Sequence, residues 1–359
     1  QATELYQRVL ELDPKQVRPY LSLADIAMVQ NNDQETALEM YQAALNANPS
    51  YGLAISSLGD FYLKRGQLDL AEQAYRTILE QPETTASNYL AISNIQQMRG
   101  DWDQALLTLQ AALENAKDPG EAYRNLAVYY MGRGAFDEAL NAYRQAIQID
   151  PENAQHYAGL SGLATRLGDL DLANQTLEQG VQKAEDQSVI HTARAAYFET
   201  IGDLDQAEQE LLSASAPPVK NSEPYQNLAR FYREAERFQD AISIYQKALL
   251  EFPYNMKLMI DMGQTYADMD RIEDAVDWFQ VAASIDKSDP TPHLALAGLY
   301  VSEGDLASAE QVARLALTIR PTSADAYLML AQIYGSMERS DKARWGYQEA
   351  CKLDQSQVD

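Results

Sequence analysis

Residues 120–153 read GEAYRNLAVYYMGRGAFDEALNAYRQAIQIDPEN, and this stretch decides the fold. Tyr123, Leu126, Ala127 and Tyr130 recur at i, i+3, i+4 and i+7, the apolar stripe of one amphipathic helix. Gly134 stands where that helix must stop, because glycine enters the left-handed region at least cost. Asp137 opens a second helix with the stripe Ala139, Leu140, Tyr143, Ala146 and Ile147, and Pro151 closes it. Small residues in both stripes let two helix backbones approach, and tyrosine fills the adjacent hole. One such hairpin cannot bury its own stripe, so neighbours must stack.

Outward from this stretch the pattern recurs. Alanine returns every 34 residues at Ala37, Ala71, Ala105, Ala139, Ala173, Ala207, Ala241, Ala275, Ala309 and Ala343, and Ala2 holds the equivalent place in a partial unit. First positions at Val17, Gly52, Ala86, Gly120, Ala154, Ser188, Ser222, Met256, Pro290 and Ala324 define ten full units. Tyrosine favours positions four and eleven of a unit and the place four residues after the recurring alanine. Those three rows hold 18 of the 22 tyrosines, which assigns them to the core rather than to a ligand-stacking stripe. The expected fold is all-α, a solenoid of antiparallel helix pairs. Residues 1–16 form the second helix of a truncated unit, 17–221 form units one to six, and 222–359 form units seven to ten.

Composition narrows the function. Acidic residues number 53 against 28 basic ones, a formal net charge of −25, which argues against a nucleic-acid or anionic-membrane surface. No apolar stretch approaches the ~18 residues of a membrane helix. The single cysteine, Cys351, excludes an internal disulfide framework and reads as a small apolar filler in the last helix. His156, His191 and His293 leave little for metal or general-base chemistry, so no cofactor and no metal are expected. Four Asp-x-Asp pairs could suggest a divalent cation. Asp101/Asp103, Asp169/Asp171 and Asp203/Asp205, however, lie between the two helices of a unit and read as caps of the second helix, while Asp268/Asp270 reads as a solvated face. Gln1 begins the chain with no secretory leader pattern, which reads as a processed form or an excised fragment.

The pattern Tyr123-x-x-Leu126-Ala127-x-x-Tyr130, Ala139-x-x-x-Tyr143-x-x-Ala146, Pro151 resembles the tetratricopeptide (TPR) repeat. The resemblance covers residues 2–354. It implies a right-handed superhelix whose first helices line a concave groove that receives a peptide or another protein's helix. Positions 2, 5, 9 and 12 of each first helix would face that groove. They include Asn94, Arg124, Gln226, Arg230, Arg233, Gln264 and Gln332 as partner-binding candidates. The three arginines imply an acidic or carboxylate-bearing partner near units four and seven, unless neighbours such as Glu121, Glu223 and Glu234 engage them. No three consecutive units supply the lysine, asparagine and arginine set with which the chaperone-binding branch clamps a carboxylate. Only Asn125 and Asn227 match the asparagine ladder of the branch attached to a protein O-GlcNAc transferase.

Unit six departs most from the pattern, with His191 at position four, Arg194 at position seven, and a second helix ending in Ser213-Ala214-Ser215-Ala216-Pro217-Pro218. A bend near residues 213–222 is one expectation, and a continuous solenoid with a longer turn is the other. Residues 2–12 read as only the second helix of a unit whose partner helix lies upstream of this chain, and Trp345 and Tyr347 belong to a last helix with no stacked neighbour. The expectation is that flanking sequence covers these ends, and the alternative is self-association through them. The function expected is a non-enzymatic protein-interaction scaffold. The alternative is the regulatory or recruiting array of a larger enzyme or secretion protein. The composition resembles bacterial TPR arrays, many of them in cell-envelope assembly or exopolysaccharide export, which favours the periplasm or envelope over the cytoplasm.

Overall fold

The computed structural model describes residues 2–31, 33–81 and 84–355. A lone helix, α1 (Ala2–Leu12), precedes the helix pairs. Repeats one to three comprise α2 (Val17–Asn31) with α3 (Gln34–Ala47), α4 (Gly52–Lys64) with α5 (Leu68–Leu79), and α6 (Ala86–Met98) with α7 (Trp102–Asn115). Repeats four to six comprise α8 (Pro119–Gly132) with α9 (Phe136–Ile149), α10 (Ala154–Arg166) with α11 (Leu170–Lys183), and α12 (Gln187–Ile201) with α13 (Leu204–Ala214). Repeats seven and eight comprise α14 (Glu223–Glu234) with α15 (Phe238–Glu251) and α16 (Met256–Asp268) with α17 (Ile272–Ile285). The last two comprise α18 (Thr291–Ser302) with α19 (Leu306–Ile319) and α20 (Ala324–Ser336) with α21 (Ser340–Gln355). No strand occurs among the described residues.

The recurring alanine shows why the pairs close. From Ala37 to Ala309 every member of the row has no exposed surface. A larger side chain there would separate the two helices of its repeat. Tyrosine occupies the space that small residues leave: a Cβ on Gly59 would lie 2.9 Å from the Tyr75 ring, and one on Gly159 would lie 2.3 Å from Tyr143. Among the described residues, six turns between paired helices use a glycine at positive φ, among them Gly134 at +71°. Glu236, Asp270 and Glu338 take the same left-handed conformation without being glycine. Asp270 is exposed, as expected of a solvated position, and is also the left-handed turn residue after α16.

The chain divides into two compact units, one of residues 1–81, 98–100 and 254–359, the other of residues 82–97 and 101–253. In the first, the Lys287 amide donates to the Val29 carbonyl at 3.1 Å, joining the turn after α17 to the last turn of α2. In the second, residues 150–153 between α9 and α10 form the regular kind of junction. Asn153 caps α10 by accepting from the Gln155 amide at 3.1 Å, and the buried Tyr157 hydroxyl donates to the Pro151 carbonyl at 2.8 Å. Residues 215–222 between α13 and α14 form the irregular kind, because Pro217 and Pro218 cannot continue α13.

The capping expectation holds for two of the three inter-helix Asp pairs. Asp169 accepts from the Leu172 amide and Asp203 from the Gln206 amide, whereas Asp101 occupies its N-cap position with no side-chain bond. Cys351 is exposed rather than packed as a filler.

Candidate protein-binding groove

Within the second compact unit, α10, α12 and the start of α14 wall a cavity of about 620 Å³. Its floor is small: Ala158 and Gly162 from α10, and Ala193 and Ala196 from α12. Gly162 faces open space, with no atom within 4 Å of where a Cβ would stand. The helices therefore stay ordinary while their side chains leave a hollow between them. Val189, Thr165 and Thr192 add methyl groups to the wall, and Tyr197, packed edge-on against Phe198 at 5.5 Å, closes part of the rim.

The polar groups around this hollow are largely engaged with the chain itself. Ser161, Thr165, Thr192 and Thr200 each donate a hydroxyl proton to a carbonyl of their own helix, at 2.8–3.1 Å. Ser188 donates to the Ala214 carbonyl at 2.7 Å, tying α12 to the end of α13. The irregular junction supplies one side of the cavity through Lys220 and Asn221, followed by Glu223 and Pro224 of α14. The Lys220 ammonium lies 2.8 Å from the Asp186 carboxylate, and this hydrogen bond raises the lysine pKa above its ordinary value. Asp186, Ser188 and Lys220 also line a second hollow of about 280 Å³, reached from the side of His191 and Pro218.

Beneath α12, repeat six replaces the usual apolar layer with a charged one. His191 Nδ1 lies 2.6 Å from Glu210 Oε2, and Arg194 Nε lies 3.2 Å from the other oxygen of that carboxylate. Arg194 also reaches Glu178 at 3.8 Å. The two departures that mark repeat six in the sequence therefore meet on one carboxylate of α13.

None of the seven groove candidates is among the residues lining the cavity. Arg124 on α8 donates through Nε to Glu121 at 2.7 Å. Arg230 on α14 bonds both oxygens of Glu234 at 3.0 and 3.1 Å and lies 3.7 Å from Glu199. Arg233 is half-buried in the last turn of the same helix, and Gln226 there donates to Ser222 Oγ at 3.0 Å. Asn94 on α6 is exposed and accepts from Gln97 at 3.5 Å. Gln264 on α16 and Gln332 on α20 are exposed in the other compact unit. The structure thus gathers Gln226, Arg230 and Arg233 on one helix and leaves the remaining four on four others.

Attention to arginine missed the cavity. Its signal was present at the same groove positions of units five and six, where Ala158, Gly162, Thr165, Thr192 and Ala196 are all small. Lys220 and Asn221 carried no such signal, because their place depends on how the Pro217-Pro218 segment runs.

Two titrating groups lie at the edges of this unit's core. His156 has no exposed surface and no hydrogen bond on either ring nitrogen, and burial lowers its pKa against the opposing pull of Glu121 and Asp150. Burial, followed by the hydrogen bond to Glu251, pushes the Tyr225 hydroxyl up to about 12. Among the described residues no group of histidine, cysteine, aspartate and glutamate has metal-holding geometry, and no helix is long and apolar enough to cross a membrane.

Profiles of the tetratricopeptide repeat match residues 29–87 and 90–154, 130–197 and 232–299, 290–333, and 324–357. The chain belongs to the tetratricopeptide-repeat family. The human protein O-mannosyl-transferase TMTC1 is 28% identical over 127 residues, covering 35% of this chain and 14% of that protein. The photosystem I assembly protein Ycf3 of Prochlorococcus marinus (strain NATL1A) is 34% identical over 70 residues, covering 19% of this chain and 40% of that protein. These curated relatives are thus matched over less than half of their own length. The crystal structure of yeast Tom70 aligns over 98% of this chain and 88% of its own with a TM-score of 0.56 at 16% identity, a likeness of fold. A TPR array of this kind is a protein-interaction scaffold.

Proposed function

We propose that this scaffold receives an extended peptide or a helix of a partner protein in the hollow walled by α10, α12 and α14. The observation that supports it most is the cavity itself: two successive first helices, α10 and α12, carry small residues along it (Ala158 and Gly162, Ala193 and Ala196), and α14 closes it with Glu223 and Pro224. A volume of about 620 Å³ falls in the range that seats a cluster of ligand groups. The chain acts by binding rather than by catalysis. Its setting in a bacterial envelope or exopolysaccharide assembly is part of the proposal and rests on compositional likeness. Exposed Leu5 and Leu12 on α1, and Trp345 and Tyr347 on α21, are second-copy contacts in the same proposal, checked by sedimentation across a range of concentrations.

A random peptide library displayed on phage and selected on the chain tests the groove. Gly162→Trp/Ala196→Trp fills the hollow from two helices, and circular dichroism confirms that the filled chain keeps its helices. Selected peptides should lose binding to the filled chain. Peptides that bind both chains equally would place the contact elsewhere.

A second reading has its own support. The match to TMTC1 covers 14% of a protein named as an O-mannosyl-transferase. By that reading the chain is the recruiting array of a larger enzyme or secretion protein whose active part lies outside these residues. Sequence adjoining residues 1 and 359 in the encoding gene would decide it.

A further inference from the structure

The chemistry of the cavity wall identifies what kind of side chain it accepts; this step rests on the groove reading above. Each of the five aliphatic hydroxyls in the wall, on Ser161, Thr165, Ser188, Thr192 and Thr200, has a single proton, and each proton is already given to a backbone carbonyl. A hydroxyl in that state offers a ligand only oxygen lone pairs. These five hydroxyls therefore present acceptors among methyl groups, and the Gln155 and Asn221 amides and the Tyr197 hydroxyl at the same wall can accept as well as donate.

The charged lining residues are two cations, Arg166 and Lys220, and two carboxylates, Asp186 and Glu223. The Arg166 guanidinium lies 5.8 Å from the centre of the Phe136 ring on α9. Glu223 forms no ion pair among the described residues. Asp186, at the cavity edge, already holds a cation, the ammonium of Lys220, whose side chain is 79% exposed. The only ammonium at this rim thus comes from an exposed junction residue, and a partner's cation can compete for the same carboxylate. The chain as a whole carries −25, which draws basic segments toward it over long range. Of the arginines that would seat an acidic segment, Arg124 is engaged by Glu121 and Arg230 by Glu199 and Glu234.

We infer that the cavity is a receptor for a lysine or arginine side chain of a basic partner segment, its stem lying along Ala158, Ala196 and the threonine methyls and its head on Asp186, Glu223 and the hydroxyl oxygens. Long basic side chains suit such a site because their stems are apolar and their donors are confined to the tip.

The test uses the peptides whose binding the filled chain abolishes. These should be enriched in lysine or arginine at one anchor position. Replacing that anchor by glutamine should weaken binding about tenfold or more, as expected for losing a charge-assisted hydrogen bond. Raising salt should weaken binding as well. Glu223→Lys should reduce affinity, whereas Lys220→Ala should tighten it several-fold by releasing Asp186. A merely structural Lys220 would not produce tighter binding. Cavity-dependent peptides anchored by aspartate, glutamate or an apolar residue alone would overturn the basic-partner inference and leave the groove reading standing. If no selected peptide depends on the cavity, the groove reading fails and this inference fails with it.

Discussion

Between α9 and α10 the chain needs four residues, 150–153, whereas between α13 and α14 it uses eight, 215–222. The 34-residue period survives both, because α13 has 11 residues where α9 has 14 and α14 starts one position later in its repeat than α10. The position-four tyrosines show the consequence. Tyr157, after the short junction, donates its hydroxyl back to Pro151. Tyr225, after the long one, turns instead to Glu251 on the second helix of its own repeat. In the short junction the turn residues hold one repeat against the next. In the long one, Lys220 and Asn221 are free to build a cavity wall. A repeat protein can thus gain a cavity by shortening one helix without losing register.

The largest expected effect tests whether the two tyrosines remain equivalent as core. Tyr157→Ala and Tyr225→Ala should each cost about 3–5 kcal/mol in chemical denaturation, as for other buried aromatics. The phenylalanine variants sharpen the contrast. Tyr157→Phe should cost about 1 kcal/mol, and Tyr225→Phe, which removes a bond to a carboxylate, about 1.5–3 kcal/mol. Equal losses would mean that the two hydroxyls do equivalent work.

Two glycines of α10 separate packing from cavity. Gly159→Ala drives a methyl into the Tyr143 ring and should destabilise by about 1–3 kcal/mol. Gly162→Ala meets open space and should stabilise by about 0.5–1 kcal/mol through helix propensity. A Gly162→Ala loss similar to that of Gly159→Ala would contradict the hollow.

The two ends of the pH scale should report on opposite junctions. His156, beside the short one, has its folded pKa lowered by burial. The unfolded chain therefore takes up the proton first, and stability falls as pH drops below about 6.5. Tyr225, beside the long one, has its folded pKa raised to about 12. Its contribution is present below about 10 and is lost as pH rises from there toward 12. Denaturation midpoints of the chain, His156→Asn and Tyr225→Phe across pH check both, and each variant should flatten its own limb.

The smaller effects concern turns. Glu236→Gly, Asp270→Gly and Glu338→Gly should each add about 1 kcal/mol by relieving a left-handed conformation. Limited proteolysis ranks the junctions themselves: a bend at the long junction predicts first cleavage within residues 213–222, and a continuous solenoid predicts first cleavage at the termini.

Much of the fold was legible because a single spacing encodes it. The alanine row is repeated wherever two helices must touch, so its register can be read without knowing any contact. The Asp169 and Asp203 caps were legible for the same reason, since capping acts over three residues. The candidate site was less legible. Charge drew attention to Arg124, Arg230 and Arg233, but a charge in sequence does not reveal its partner, and carboxylates of this chain engage Arg124 and Arg230. Small residues marked the cavity more faithfully, yet in a repeat protein they also mark close packing. Gly159 and Gly162 differ by three residues and only the structure tells which faces a ring and which faces space.

The sequence by itself therefore determined the helix pairs, their register and their family, because those depend on contacts within one repeat or between neighbours. The tertiary structure alone decided that Asp186 meets Lys220, that Arg194 and His191 share Glu210, and that the hydroxyls of α10 and α12 give their protons to backbone. Those arrangements depend on the path of an irregular junction and on which rotamer each side chain adopts once its neighbours are in place, and no 34-residue period encodes either.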